Sequence, residues 1–363
     1  MKYTIDRGAR ESAYLQLYRQ LKQDIVEGLY PLGAKLPSKR QLSAELGLSV
    51  ITVEHAFSLL VDEGYAEARQ RSGVFAAFGG SAAVPRASLE DMSAPAGAPE
   101  DFPFSVLARV MRRVLSEQGE RILARSPDCG CAELRTELAG YLARSRGLRV
   151  RPEQLVIGSG AEYLYGLVVQ LFGRERLYAQ EDPCYEKILR VYEANGARCV
   201  RLPMGPDGIR SEALHACDAG LLHVTPYHSY PSGVTASAAK RREYARWARA
   251  HGAYIVEDDY DSELSSTAGT VETIFSLAPE RVLYLNSFSK TLAPSMRTGY
   301  LVLPEELLPR YREKLGFYTC TVPVYDQLVL AEFIRCGELE RYINRRRRKQ
   351  RREQSGEGFS HKT

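Results

Sequence analysis

The sequence contains no run of eighteen apolar residues, and its first residues, MKYTIDRGARES, form no apolar segment of the kind that a signal peptide needs. We therefore expect neither a membrane span nor a secretory leader, and we predict a cytoplasmic protein. Cysteine is also sparse. Seven cysteines are scattered without a C-x-x-C pair, and the six histidines show no ligand spacing, so the pattern predicts no metal site.

The chain also lacks a large excess of positive or negative charge. The net charge is +4, which is too small to indicate nucleic-acid binding by itself. The strongest basic cluster, eight residues within 341–352, lies near the far end of the chain, and we interpret it as a solvated helix face rather than a nucleic-acid tail. With 363 residues and 44% hydrophobic content, the chain should form two or three domains.

The first eighty residues carry the signals of three helices. Apolar residues recur at helical spacing from Ser12 to Glu27, and Ser38 with Gln41 three residues later matches a capping box that opens a second helix. Ser49 can cap a third helix, whose apolar stripe predicts one buried face. The stripe consists of Val53, Ala56, Phe57 and Leu60.

A hairpin follows these helices. The runs 65–69 and 74–78 are typical of strands, and Gly73 lies in the turn between them. Three helices and a two-stranded wing predict a winged helix-turn-helix (α+β) fold, which binds DNA. We therefore assign residues 11–79 to a DNA-binding domain.

The composition then changes to glycine, alanine, serine and proline, which predicts a linker over residues 80–103. Residues 104–353 alternate helical patterns with short apolar runs, and this alternation predicts an α/β domain with a mainly parallel sheet covered by helices. We interpret residues 354–363 as a tail.

A lysine with unusual neighbours follows the apolar run 282–285. A lysine on a loop after a buried strand loses solvent, shifts toward its neutral amine and can form an imine with an aldehyde. Lys290 occupies such a position, and Arg297, seven residues later, can return to the same site and bind a phosphate. Ser287 and Ser289 supply hydroxyl donors.

Two further segments point to the same cofactor chemistry. The acidic cluster 257–261 follows a predicted strand, where binding sites of α/β sheets gather, and one of its carboxylates could pair with a pyridine nitrogen and keep the ring an electron sink. The segment 156–162 is a strand, a glycine turn and a helix start, whose free N–H groups suit a phosphate.

The first domain resembles the GntR family. The residues that carry the likeness are 36–42, Leu48, Ser49, Thr52, Val53, Ala56, Phe57, Leu60, Gly64 and Tyr65. The resemblance implies DNA contacts by Ser38, Lys39, Arg40, Ser49, Thr52 and Arg71. Where the family commonly has arginine after the helix-capping serine this chain has Val50, and Glu54 follows one turn later.

The second domain resembles fold-type I aminotransferases, and residues 14–348 together resemble the MocR/PdxR regulators. The likeness implies pyridoxal 5'-phosphate as cofactor, Lys290 as the Schiff-base lysine, Asp258 as partner of the ring nitrogen, and Tyr260 as donor to the phenolic oxygen. It also implies that Tyr185 stacks on the ring. The remaining cofactor-binding residues implied by the resemblance are Gly160, Ala161, Glu162, His228, Ser287, Ser289 and Arg297.

Three functions stay open at this point. In the first, a regulator senses pyridoxal phosphate itself, an amine or an amino acid, and the ligand shifts the arrangement of a homodimer on DNA. In the second, an aminotransferase retains a DNA-binding domain. In the third, the chain is a truncated or decayed product in which the second domain folds poorly and only the winged domain matters. The end of the sequence, where the family would carry a small C-terminal domain with a substrate-binding arginine, keeps this reading open together with Val50 and Glu54.

Overall fold

The computed structural model describes residues 3–9, 11–69, 72–78, 102–260, 262–264 and 272–357. The chain divides into two compact units, Met1–Pro95 and Ala96–Thr363. Every helix within the described ranges is too short or too polar to cross a membrane.

The first unit contains three helices, α1 (Ala13–Val26), α2 (Lys39–Leu46) and α3 (Val50–Asp62). Ser38 and Ser49 begin α2 and α3, and each hydroxyl oxygen accepts a hydrogen bond of 3.1 Å from the backbone N–H three residues later. The predicted capping box is only half formed, because the Gln41 side chain donates to Glu45 rather than returning to the helix start. The predicted stripe of α3 is buried against α1.

Two antiparallel strands, β1 (Ala66–Arg69) and β2 (Gly73–Ala76), form the wing. Their register runs from Ala66 opposite Ala76 to Arg69 opposite Gly73. Gly73 has a φ of 115°, a conformation that glycine adopts readily, so the turn requires this residue. The predicted winged helix-turn-helix fold is confirmed.

The second unit is a layered α/β structure. Its helices are α4 (Phe104–Gln118), α5 (Ala132–Arg146), α6 (Ala161–Phe172), α7 (Glu186–Ala194), α8 (Ser211–His215), α9 (Ala238–His251), α10 (Ile274–Leu277), α11 (Phe288–Thr291), α12 (Leu308–Leu315), α13 (Val324–Arg335) and α14 (Glu338–Glu357). Its strands are β3 (Leu155–Gly158), β4 (Leu177–Asp182), β5 (Arg198–Gly205), β6 (Gly208–Ile209), β7 (Leu221–Val224), β8 (Tyr254–Asp258), β9 (Val282–Ser287) and β10 (Gly299–Val302).

These strands form one sheet in the order β3-β10-β9-β8-β7-β4-β5-β6. The five strands from β9 to β5 are parallel, whereas β10 is antiparallel to both of its neighbours. The predicted mainly parallel sheet is confirmed.

Both faces of the sheet are buried from β3 to β7, so these strands are mostly apolar on both sides, whereas β5 is partly exposed. In β10, Tyr300 and Val302 face a cluster that includes α4, α5, α9 and α13, while Leu301 faces a second cluster with α6, α7 and α12. This burial explains why the apolar runs in the sequence are nearly continuous rather than alternating.

A buried glutamine joins two parts of the first of these clusters. Gln327 on α13 is 0% exposed, and its carbonyl oxygen accepts a hydrogen bond of 2.6 Å from the backbone N–H of Cys131. Its amide nitrogen donates to the Val322 carbonyl at 2.7 Å and to the Ser126 hydroxyl at 2.8 Å. The side chain therefore fixes the loop before α5 against the start of α13.

We expect Gln327→Leu to lower the free energy of unfolding of the second unit by about 1–3 kcal/mol, because buried polar groups lose their partners. Urea denaturation followed by the fluorescence of Trp247, the single tryptophan of the chain, measures this change. Gln170→Leu, at an exposed position of α6, serves as the matched control. Equal unfolding midpoints for the two variants would contradict the assigned role.

Candidate cofactor site and DNA-binding surface

The reversed strand β10 brings distant residues to one edge of the sheet. Gly299, its first residue, lies opposite Gly158 at the end of β3 and opposite Ser287 at the end of β9. Arg297 precedes Gly299 by two residues, so it returns to the edge where the parallel strands end. This edge is where α/β sheets bind their ligands.

Gly160 and the Arg297 guanidinium lie close together at the start of α6, and we call this pair the Gly160–Arg297 cradle. Gly160 has a φ of 93°, and a Cβ at this position would lie 2.9 Å from the Arg297 guanidinium. The positive φ favours glycine at this position, and the missing Cβ lets the guanidinium approach the backbone. Ala161 begins the helix, and the first N–H groups of a helix have no partner within it, so they can donate to an anion beside the guanidinium.

Glu162, predicted to contact the phosphate, already pairs with two cations. Its carboxylate lies 2.7 Å from Lys187 Nζ and 3.2 Å from Arg297 Nη2. The hydrogen bond from Lys187 lowers the pKa of Glu162, so the group is charged at neutral pH. A phosphate bound in the cradle would therefore compete with Glu162 for Arg297.

Lys290 lies on the short helix α11, and its ammonium nitrogen is 4.5 Å from the centre of the Tyr260 ring. The structure differs here from the sequence-based expectation that the lysine loses solvent, since the side chain is exposed. A loop position after a buried strand does not by itself shield a long side chain, because the stem can carry its charged end into water.

The Tyr260 hydroxyl donates a hydrogen bond of 2.9 Å to the carbonyl of His228. His228 is exposed, has a φ of 47°, and its ring stacks on Tyr227 with centres 4.2 Å apart. The predicted donation from Tyr260 to the phenolic oxygen of the cofactor therefore requires that this hydroxyl change or share its acceptor.

Other predicted cofactor residues surround the same edge of the sheet. Tyr185 follows β4, is 45% exposed and contacts Tyr230 edge-on, with ring centres 5.8 Å apart. Ser287 is half-buried at the end of β9, and the Ser289 hydroxyl donates a long hydrogen bond of 3.4 Å to the Met296 carbonyl. The roles of these residues stay predictions.

Two of the carboxylates in the acidic cluster have structural partners. Glu257 accepts hydrogen bonds from the backbone of Ile274 at 2.9 Å and Phe275 at 2.7 Å, and burial raises its pKa to about 7. Asp259 pairs with the buried guanidinium of Arg146 and accepts from the Tyr284 hydroxyl at 2.5 Å. Asp261 lies outside the described residues.

Asp258 differs from Glu257 and Asp259, because one of its carboxylate oxygens lacks a structural partner among the described residues. It is 3% exposed, one carboxylate oxygen accepts a hydrogen bond from the Tyr165 hydroxyl, and His223 Nε2 lies 3.6 Å from the same oxygen. The other oxygen, Oδ1, has no hydrogen-bond partner among the described residues. An unsatisfied buried carboxylate oxygen is costly, and a protonated ring nitrogen is the kind of donor that would satisfy it.

Sequence reasoning missed the residues behind Asp258. Tyr165 belongs to α6, His223 to β7 and Tyr192 to α7, and the Tyr192 hydroxyl lies 2.8 Å from His223 Nδ1. Tyr165 and His223 lie in apolar runs typical of core positions, and Tyr192 lies on the buried face of α7. Since the three approach Asp258 from different elements, no local pattern could have indicated them.

Sequence reasoning also missed a buried carboxyl group at the end of β4. Glu181 is 4% exposed and accepts a hydrogen bond of 2.6 Å from the Ser229 hydroxyl, which connects β4 to the loop after β7. Burial raises the pKa of Glu181 to about 8. Ser229 therefore has a partner inside the protein.

The predicted DNA-binding residues surround the starts of α2 and α3. The hydroxyls of Ser38 and Ser49 cap these helices, and Ser49 Oγ lies 2.8 Å from Thr52 Oγ1. Lys39 Nζ lies 2.5 Å from Glu54 Oε1. Arg40 is exposed at the start of α2, and Arg71 lies outside the described residues.

Comparisons with known proteins agree with this two-part architecture. Residues 13–76 match the family described as bacterial regulatory proteins, gntR family, and residues 96–355 match the family described as aminotransferase class I and II. The chain is 34% identical over 358 residues to the HTH-type transcriptional regulator YdeL of Bacillus subtilis, which covers 94% of this chain and 77% of the relative.

It is also 30% identical over 353 residues to the HTH-type pyridoxine biosynthesis transcriptional regulator PdxR of Corynebacterium glutamicum, again covering 94% of this chain and 77% of the relative. The chain belongs to the MocR/PdxR family. Members of the MocR/PdxR family combine the two domains found here, so the protein is a DNA-binding transcription regulator.

A solved aminotransferase extends the comparison to the cofactor. The second unit is similar to LysN, an alpha-aminoadipate aminotransferase from Thermus thermophilus solved with N-(5'-phosphopyridoxyl)-L-leucine, with 30% identity and a TM-score of 0.61 over 70% of this chain and 66% of that chain. For this MocR/PdxR protein the predicted cofactor, pyridoxal 5'-phosphate, is confirmed by the match to the aminotransferase family and by the similarity to this solved aminotransferase. The chemistry of two features fits this cofactor: Asp258 Oδ1 can accept from a protonated ring nitrogen, and the Gly160–Arg297 cradle can bind a phosphate.

We expect Glu162→Gln to tighten pyridoxal phosphate binding roughly three- to tenfold, because the change removes a negative charge that competes for Arg297. Titration of the purified protein with the cofactor, followed by absorbance, measures the dissociation constant. Glu175→Gln, at an exposed turn, is the matched control and should leave the constant unchanged. An unchanged or weaker constant for Glu162→Gln would show that Glu162 does not oppose the phosphate.

We expect the stability of the second unit to fall as the pH rises from about 5 to 8, partly through Glu181. The folded protein keeps the Glu181 proton up to a pKa of about 8, while the unfolded chain releases it near the usual carboxyl value, so raising the pH favours unfolding. Glu181→Gln should flatten this decline in urea denaturation curves. Parallel pH profiles for the two proteins would contradict the raised pKa.

Proposed function

We propose that this protein is a pyridoxal phosphate-dependent regulator in which the ligand bound to the second unit changes the affinity of the winged helix for its operator. One observation carries the proposal. The chain that contains the winged helix also places the unpartnered Asp258 oxygen at the sheet edge where the Gly160–Arg297 cradle lies. These two features match the two ends of the cofactor.

Each residue has a distinct task in this proposal. Arg297 and the first turn of α6 would hold the phosphate through charge-assisted hydrogen bonds. Asp258 would hold a proton on the ring nitrogen, and Tyr165 and His223 would orient its carboxylate. Bound pyridoxal phosphate supplies an aldehyde that reacts with amines and a ring that withdraws electrons.

Lys290 provides the switch. Its exposed amine would hold the aldehyde end of the cofactor, and an effector with an amine would compete with Lys290 for that end. Lys290 lies on α11, which directly joins β9 to the segment that carries Arg297. Release of the lysine would therefore alter a segment that also holds the phosphate, which gives the liganded and unliganded proteins different conformations.

The proposed assembly is a homodimer. Winged helices related by twofold symmetry can bind two half-sites, and a ligand that changes their separation changes affinity for the operator. Such coupling is reciprocal, so the operator should change the affinity for the effector by the same factor. The effector would be an amine, an amino acid or pyridoxal phosphate itself.

A residual transamination half-reaction is a second candidate function. The retained pair of Lys290 and Asp258 favours it, because these residues are the ones that aminotransferase chemistry requires. Incubation of the cofactor-loaded protein with each amino acid, followed by mass analysis for the corresponding keto acid, tests it directly. Formation of one keto acid per bound cofactor would show that the protein catalyses this half-reaction in addition to regulating transcription.

We expect pyridoxal phosphate to change the dissociation constant for the protein's own upstream DNA by about 5- to 150-fold, the usual range of coupling between two sites. Lys290→Ala should remove the near-visible absorption of the cofactor-bound protein and abolish the effect of an amine on DNA binding. Fluorescence anisotropy with labelled duplex measures the affinity.

Lys349→Ala, at an exposed position of α14, is the matched control and should behave as the unmodified protein does. A folded protein that binds DNA identically with and without cofactor, and with every amino acid tried, would contradict the sensing role. Such a protein would still be a DNA-binding member of its family.

A further inference from the structure

The start of α3 exposes two large apolar side chains side by side. Val50 is 44% exposed and Ile51 is 65% exposed, although the opposite side of the same helix is fully buried. Single exposed apolar residues are common on protein surfaces and indicate nothing. This pair has a special position, because the first turn of the second helix in a helix-turn-helix motif is the part that meets base edges in the major groove.

The polar groups around this pair are already engaged with one another. Ser49 Oγ accepts from the Thr52 N–H at 3.1 Å and lies 2.8 Å from Thr52 Oγ1. Glu54, one turn later, pairs with Lys39 at 2.5 Å, and this contact lowers the pKa of Glu54. A base edge that approaches the helix start therefore meets mainly the Val50 and Ile51 side chains.

One base has a matching apolar feature. In the major groove, guanine, cytosine and adenine present hydrogen-bond donors and acceptors, whereas thymine also presents its C5-methyl group. We infer that Val50 and Ile51 contact thymine methyl groups, so that the protein prefers operators with thymine opposite the start of α3. The inference rests on DNA binding by the winged helix and adds the base that this helix recognises.

The test uses the full chain and starts with selection of bound duplexes from a random pool. Thymine should be enriched at one or two positions of each half-site. Each such thymine is then replaced by deoxyuridine, which lacks only the methyl group and keeps every hydrogen bond. We expect the dissociation constant to rise roughly fourfold for each methyl group that loses its contact.

Two variants connect this loss to the proposed side chains. In each of the variants Ile51→Ala and Val50→Ala, thymine and deoxyuridine should bind equally at the base position that the changed side chain contacts, since the partner of that methyl group is gone. Both positions are exposed, so we expect the variants to fold, and circular dichroism checks this. Leu29→Ala changes another exposed apolar residue of the same unit, 55% exposed, and should keep the preference for thymine.

Several outcomes would overturn the inference. Tight binding with no loss on deoxyuridine substitution would contradict methyl recognition while leaving DNA binding intact. A thymine preference that persists in both alanine variants would assign it to other residues. If the variants change the sedimentation of the protein and keep the preference, the pair is a contact between copies of the chain. Failure to bind any duplex would overturn both this inference and DNA binding itself.

Discussion

The antiparallel pairing of β10 decides where the residues proposed to hold the cofactor lie. A sheet with only parallel strands would require a crossover after β9, and such a crossover carries the chain back to the opposite edge. Here the chain turns through α11 and returns directly, so Lys290 and Arg297 stay at the carboxyl edge within seven residues of each other. The register that sets Gly299 opposite both Gly158 and Ser287 then brings the glycine turn before α6 to the same place.

The end of β8 shows how one strand gives three adjacent carboxylates different properties. Successive side chains of a strand point to opposite faces, so Glu257 and Asp258 enter different layers, and Asp259 lies just beyond the strand. Glu257 holds the start of α10, and Asp259 holds Arg146. Both neighbours are committed to structural contacts, so among the described residues of this cluster Asp258 is the carboxylate with an unsatisfied oxygen. These surroundings support the proposed pairing of Asp258 with the ring nitrogen.

Local patterns predicted a large part of this protein. The cap at Ser49 and the buried stripe of α3 depend on residues within two turns, and the spacing of Lys290 and Arg297 lies within one segment, so sequence alone was enough to indicate them. The contact of Tyr165 with Asp258 joins residues 93 positions apart, and the pairing of Lys39 with Glu54 crosses from one helix to another. Such contacts depend on how elements pack, and so does the exposure of Lys290, which the sequence pattern led us to expect to be shielded.

The contact between Lys39 and Glu54 has a consequence for the sequence-independent binding of this protein to DNA. Every cation that neutralises a phosphate displaces a counterion, and this sequence-independent gain determines how long a regulator dwells on random DNA. A lysine whose charge is matched by a neighbouring carboxylate adds little to that gain. Lys39 would thus contribute little to the affinity of the winged helix for the phosphates of random DNA.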